Sequence, residues 1–303
     1  MNHSERPAAG APGVTVLGCG YTGRRLLKIC RDAGRDLLGI VRSEESAAGL
    51  RSTGAAVEIL DLDAPGGQLP HSWTGNRAVV YMVPPPDAGN TDDRLRTFLA
   101  RLAASPSVLV YLSTTAVYGD TGGASVDETT QAAPGSGRGR RRLDAEQALL
   151  GWADRTGVPI RILRVPGIYG PGRLPVERLR HGAPVTRAED AGPGNRIHVD
   201  DLAAVSLAAA DYGGPERVFN VGDGNHASMT EYFRAVARAA GLAPPPELPL
   251  AELLERVTPA MRGFLVERRC VDTRRMRETL DFRPRYEDLE AGIMASLAER
   301  DPE

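Results

Sequence analysis

Val14-Thr15-Val16-Leu17-Gly18-Cys19-Gly20-Tyr21-Thr22-Gly23 is the stretch on which the reading of the fold turns. The short β-branched and apolar run at its start predicts a buried parallel strand. It ends in glycines spaced G-x-G-x-x-G, and Arg24-Arg25-Leu26-Leu27-Lys28-Ile29-Cys30-Arg31 follows at once with helical periodicity. Strand, tight turn and helix in that order make a dinucleotide-binding unit, where the same glycines elsewhere would mark an ordinary strand-to-helix turn. Gly18 serves the turn, Gly20 lets backbone approach a pyrophosphate, and Gly23 lets helix and strand pack closely. The helix start, with Tyr21 and Thr22 in its first turn, offers N–H groups and about half a positive charge to phosphates.

Outward from this turn, Asp36 to Val41 reads as a second strand that ends at Arg42-Ser43. An acidic residue just past this strand holds the ribose 2′-hydroxyl of NAD, whereas an arginine nearby accommodates the 2′-phosphate of NADP. Arg42 follows directly and no Asp or Glu stands there, so NADP is expected and NAD is the less favoured cofactor. Val57 to Asp61 is a third strand, with Asp61 and Leu62 at the end where an adenine would lie. Ala78 to Val83 is a fourth, stopped by Pro84-Pro85-Pro86, because a proline run cannot continue a ladder. A helix over 92–104 and a strand over Val108 to Leu112 follow, the latter opening into Ser113-Thr114-Thr115-Ala116-Val117-Tyr118-Gly119. After a loop over 121–139 come a helix over 140–154 and a strand over 158–165. Strands alternating with helices predict an α/β fold with a doubly wound parallel sheet.

Beyond Tyr169 the alternation weakens. Residues 173–195 read as irregular, 200–211 as an Ala-rich helix, 217–221 as a short strand and 229–240 as a helix before Pro244-Pro245-Pro246. The expected division is a cofactor-binding domain over 13–170, with 196–223 returning to it. A smaller substrate lobe takes 171–195 and 224–300, and 1–12 is a loose tail.

The 303 residues, 42% hydrophobic and 25% charged, are in the globular range. A net charge of −2 argues against a nucleic-acid partner. No run is long and apolar enough to span a bilayer, and the N-terminus lacks the apolar core of a signal peptide. Cys19, Cys30 and Cys270 show no metal or disulfide spacing, so no metal site is expected. A cytoplasmic protein fits these features. Of 37 basic residues only Lys28 is a lysine.

The chain resembles the extended short-chain dehydrogenase/reductases of the epimerase/dehydratase type. The likeness rests on the glycine turn, on Ser113 to Gly119, on Arg164-Val165-Pro166-Gly167-Ile168-Tyr169-Gly170-Pro171, on Arg196-Ile197-His198-Val199-Asp200-Asp201-Leu202-Ala203 and on Phe219-Asn220-Val221. It implies a cofactor set of Gly18, Gly20, Tyr21, Thr22, Gly23, Arg42, Asp61, Leu62, Pro84, Arg142 and Pro166. The family carries Tyr-x-x-x-Lys, often with a glutamate four residues later. Glu146 fixes the register here and puts Arg138 and Arg142 at the tyrosine and lysine positions, so the usual dyad is absent. Arg142 keeps a charge, but Arg138 cannot serve as a general acid, because a guanidinium does not lose its proton below about pH 12. Thr114 matches the Ser/Thr that hydrogen-bonds the substrate oxygen, and Tyr118 and Tyr169 are the nearest phenols. His198 reads as a packing residue. A phosphate-binding arginine common in nucleotide-sugar enzymes is replaced by Gly194.

The expected catalytic set is thus Thr114, Tyr118, Arg138 and Arg142. The expected activity is that of an NAD(P)-dependent oxidoreductase or epimerase-type enzyme on a small molecule, with an anion favoured, bound in the cleft between the lobes. A catalytically weak NADP-binding sensor or partner-binding protein is the alternative. A homodimer is compatible with the family, and neither nucleic acid nor membrane is expected as a partner.

Overall fold

The computed structural model describes residues 11–52 and 54–299, so most of the tail expected over 1–12 lies outside the described residues. Seven strands share one sheet: β1 (Val14–Leu17), β2 (Leu37–Val41), β3 (Ala56–Ile59), β4 (Ala78–Tyr81), β5 (Val108–Thr114), β6 (Ile160–Val165) and β7 (Val218–Asn220). Their order in space is β3-β2-β1-β4-β5-β6-β7. β1 pairs in parallel with β2 on one side and β4 on the other, Val14 facing Leu37 and Ala78. The chain therefore winds one way from β1 and then the other, and β1/β4 is a topological switch point.

Helix α1 (Tyr21–Asp32) turns Leu26, Leu27 and Cys30 inward. Its outer face carries the exposed pair Lys28–Asp32, 2.6 Å apart at i,i+4, which water screens. α2 (Glu44–Arg51) is capped by Ser43, whose side chain accepts from the Ser46 N–H. α3 (Asp93–Arg101) is capped by Asp92 through the Leu95 N–H. α4 (Gly137–Thr156) begins three residues before the expected start. The Ser136 hydroxyl accepts the Gly139 N–H at 3.2 Å, as an N-cap does. Under the sheet, Tyr81 stacks against Phe98 and Tyr111 at 5.3 and 5.9 Å between ring centroids, with Leu149, Ile160 and Ile162 packed in the same buried cluster.

The chain forms two compact units. The first takes residues up to 114, then 140–164 and 202–219; the second takes 115–139, 165–201 and 220 onward. This differs from the division drawn from sequence, because 115–139, 165–170, 196–201 and 220–223 group with the second unit. Short parallel pairs account for it. Gly167–Tyr169 pairs with Arg196–His198, and Ser125–Val126 pairs with Cys270–Val271.

The stretch expected to be irregular over 173–195 also contains a helix, Val176–Arg180, and a strand, Val185–Thr186, that pairs with Glu247–Leu248. α5 (Val199–Asp211) follows this stretch, and α6 (Met229–Ala239) is closed by a Ser228/Glu231 capping box. Past the Pro-rich break lie three shorter helices and then α7 (Leu289–Ala298). Tyr169, Leu179, Tyr232, Phe233, Val236, Leu289 and Ile293 form the core of the second unit. No helix among the described residues is long and apolar enough to cross a membrane.

Candidate functional site

Each glycine of the N-terminal turn has its own environment. Gly18 sits at φ +86°, where a side chain is strained, and donates to the Ile40 carbonyl at 2.9 Å. A Cβ at Gly23 would lie 2.8 Å from the Gly18 carbonyl oxygen, so only glycine lets α1 pack this close to the turn. A Cβ at Gly20 would meet nothing within 4 Å. Gly20 is also the N-cap of α1, where no side-chain hydrogen bond caps the helix and no acidic residue stands in the first turn. The space and field there suit a phosphate group, so the turn fits a dinucleotide. Cys19 is buried, its thiol hydrogen-bonded to the Val16 carbonyl and pushed up to about 12 by burial. It is a packing residue.

Parallel strands leave the sheet at one edge, so the residues following β1 to β4 gather there with the end of β5. Arg42 is exposed just past β2. The Leu60 N–H donates to the Val41 carbonyl, which carries the loop after β3 alongside it. Leu62 is buried, and the Asp61 carboxylate accepts the Asp63 N–H at 2.9 Å. Arg94, which the sequence did not single out, donates to both Asp63 oxygens at 2.7 and 2.6 Å and to the Pro84 carbonyl at 3.1 Å. Thr114 ends β5 and is buried.

α4 brings Arg142 over β5. Its guanidinium donates to the Tyr111 hydroxyl at 2.9 Å and lies 5.3 Å from that ring's centroid. The Tyr111 hydroxyl donates in turn to Asp92 at 3.2 Å, and burial holds this phenol well above its usual range. One turn further along α4, Glu146 is buried between Ser113, whose hydroxyl donates at 2.5 Å, and Arg164, whose nearest nitrogen is 2.7 Å away. Glu146 thus fastens α4 to β5 and β6. A charged residue inside the buried strand Ile160-Arg161-Ile162-Leu163-Arg164-Val165 was the sequence signal for such a pair, since buried charges need partners. Arg138 is exposed in the first turn of the same helix.

In the second unit Tyr118 is buried and donates to Asn220 Oδ1 at 2.7 Å. The Asn220 side chain donates to the Asp272 carbonyl at 3.1 Å. Tyr169 is buried, its hydroxyl without a hydrogen-bond partner among the described residues, and burial raises its pKa strongly. Its ring meets His198 edge-on at 5.2 Å. His198 accepts the Asp200 N–H at Nδ1, which leaves the Nε2 proton to face Ser296 Oγ at 3.2 Å. His198 is thus a buried residue packed against Tyr169 and Tyr286. Arg196 donates to the Ala227 carbonyl at 2.7 Å and lies 4.8 Å from the Tyr232 ring centroid. Pro166 borders a small hollow with Asn195, Asp223 and Thr273. Asp223 is buried, and that burial pushes its carboxyl up to about 7. Among the described residues no three His, Cys, Asp or Glu side chains come together to hold a metal.

Residues 90–222 match the model of the NAD dependent epimerase/dehydratase family. The epimerase/dehydratase match takes in Thr114, Tyr118, Arg138, Arg142 and Pro166, and starts after the glycine turn. The chain is 26% identical over 243 residues to protein YeeZ of Escherichia coli strain K12, covering 77% of this chain and 85% of YeeZ. A functionally unknown conserved protein from Silicibacter pomeroyi DSS superposes with a TM-score of 0.78 at 29% identity, over 96% of this chain and 100% of that one. UDP-glucuronic acid 4-epimerase from Bacillus cereus, solved in complex with NAD, gives a TM-score of 0.74 at 17% identity, over 94% and 97% of the two chains. At that identity the epimerase likeness speaks for the fold. The α/β fold with a doubly wound parallel sheet expected from the sequence is the one found.

Proposed function

We propose that the chain is an NADP-dependent oxidoreductase or epimerase-type enzyme acting on a small anionic molecule. The observation that carries this reading is the open face of Gly20 at the uncapped start of α1, with Arg42 at the end of the neighbouring strand. The Bacillus cereus relative in fold, described in complex with NAD, supports a nicotinamide dinucleotide as the cofactor class. When bound, that cofactor supplies the two-electron chemistry of its ring. The chain's own part is to hold and orient. Gly18, Gly20, Tyr21, Thr22 and Gly23 would seat the pyrophosphate, and Arg42 the 2′-phosphate. Asp61, Leu62 and Pro84 would border the rest. Thr114 would hydrogen-bond the substrate oxygen, and Arg142, in the same unit, would offer an anion its guanidinium.

A second reading draws on two contacts. Arg142 donates to Tyr111, and the Tyr118 hydroxyl is given to Asn220. With the phenol committed, a cofactor-binding protein of low turnover also fits. Titration of intrinsic fluorescence tests the cofactor assignment that both readings share. NADPH should bind more tightly than NADH, and Arg42→Asp should reverse that order; equal affinities in the parent would remove the NADP assignment. Consumption of NADPH with a panel of anionic carbonyl compounds then tests turnover. Loss of that turnover in Thr114→Val with unchanged NADPH affinity supports the enzyme. Absence of any turnover across the panel supports the binding protein.

A further inference from the structure

One side chain joins the loops that follow β3 and β4. Arg94, in the first turn of α3, donates through Nε to Asp63 Oδ1 at 2.7 Å and through a second nitrogen to Asp63 Oδ2 at 2.6 Å. Its third nitrogen points at the carbonyls of Pro84 and Pro85, 3.1 and 3.3 Å away. The Arg94 side chain is 18% exposed and that of Asp63 46%. Arg42 leaves the sheet alongside the start of the loop that carries Asp63, because Val41 faces Ile59 in the parallel register and accepts the Leu60 N–H. Asp63 is held below the usual carboxylate range by the Arg94 hydrogen bonds first, with the charges of Arg94 and Arg42 adding to it. Asp63 therefore stands within electrostatic reach of Arg42, while Glu44, two residues beyond Arg42 in the sequence, is paired with Arg51.

A carboxylate in that place has two effects on a 2′-phosphate. It repels the phosphate, and it competes for the guanidinium of Arg42. Both effects favour NAD, whose ribose carries a hydroxyl there. A bidentate arginine neutralises a carboxylate and fixes it in one plane, which a lone ammonium does not. We propose that Arg94 is a positioning and specificity-determining residue of the dinucleotide site: it engages Asp63, leaves Arg42 to the 2′-phosphate, and ties the loops after β3 and β4 together. This rests on the reading of Arg42 as a 2′-phosphate ligand.

The test is a set of fluorescence titrations of the full chain with NADPH and NADH, for the parent, Arg94→Met, Asp63→Asn, the double variant and Arg42→Asp. Arg94→Met should lower NADPH affinity about five-fold and leave NADH within about two-fold. Adding Asp63→Asn should restore NADPH affinity to within about two-fold of the parent, since the competing carboxylate is gone. Arg94→Lys keeps the charge without the fork and should fall between parent and Arg94→Met; it also serves if Arg94→Met fails to fold. If Arg94→Met weakens both cofactors equally, or Asp63→Asn brings no recovery, Arg94 only braces the loops and the proposal is overturned. A parent that binds both cofactors equally, with Arg42→Asp changing neither, removes the Arg42 reading and this proposal with it. A parent that prefers NADPH and keeps its ratio in Arg94→Met removes this proposal alone.

Discussion

Asp223 holds one carboxylate oxygen on the Asn225 N–H at 2.8 Å, while the other is buried without a hydrogen-bond partner among the described residues. Burial raises its pKa from an ordinary 3.8 to about 7, against the opposing pull of that N–H and of Arg196. Between these two values the folded chain keeps a proton that the unfolded chain has released. Stability therefore falls as pH rises from about 4 to about 7, and the loss is complete above the folded value. The rise caps the effect at about 4 kcal/mol. Asp223→Asn should remove this slope: urea midpoints of parent and variant should be close at pH 5, with the variant the more stable at pH 8. A parent midpoint as high at pH 8 as at pH 5 would contradict the assignment. At this scale local spacing made the strand–turn–helix geometry of the three glycines legible and set Arg42 just past β2. It did not show Asp63 with Arg94, 31 positions apart, because a contact between loops on different strands leaves no periodic trace.

Strand β5, helix α4 and strand β6 are tied by Glu146, Ser113 and Arg164, all buried. Breaking a buried ion pair from one side strands the other charge, at a cost of about 3–5 kcal/mol. Glu146→Gln should lower thermal stability by that order. Glu146→Leu with Arg164→Met should recover most of it, since apolar residues of similar volume replace such pairs at little cost. Thermal unfolding followed by circular dichroism reads both, and a double variant no better than Glu146→Gln would show that the pair contributes more than its mutual charge. The sheet strands up to residue 165 and the helices α1, α3 and α4 were legible because buried parallel strands and longer helices carry clear periods, whereas the eight-residue α2 and the two-residue strand Ser125–Val126 were not. Past Tyr169 the strands run two or three residues, as in Val185–Thr186 and Glu247–Leu248, and the helix Val176–Arg180 has five. Such pieces are too short for a period to register and are set by tertiary pairing.

Each of the two units is assembled from three separate stretches of chain. The first needs β7 and α5, which come after a long passage through the second. Arg35, nearly buried, reaches across 176 positions to Asp211 with two hydrogen bonds of 3.1 and 3.0 Å. A fragment ending at residue 195 keeps the glycine turn and six of the seven strands yet lacks β7, α5 and this ion pair. It should lose the sharp urea transition of the whole chain and bind the dye ANS. A fragment that unfolds cooperatively at the full chain's midpoint would show that the return segment is dispensable. Residues 202–219 group with the first unit, and the pairing of Arg196–His198 with Gly167–Tyr169 left no trace in the sequence, since three-residue strands are too short to show a period.

The near-total use of arginine leaves Lys28 as the one side-chain amine, on the outer face of α1. Reagents that acylate primary amines would therefore find one side chain in the entire molecule. A fluorophore placed there sits eight residues from the Gly20 cap, about 12 Å along the helix axis, facing away from the sheet. The protein thus offers a ready-made attachment point for an optical reporter of events at its phosphate-facing turn, with no engineered cysteine required.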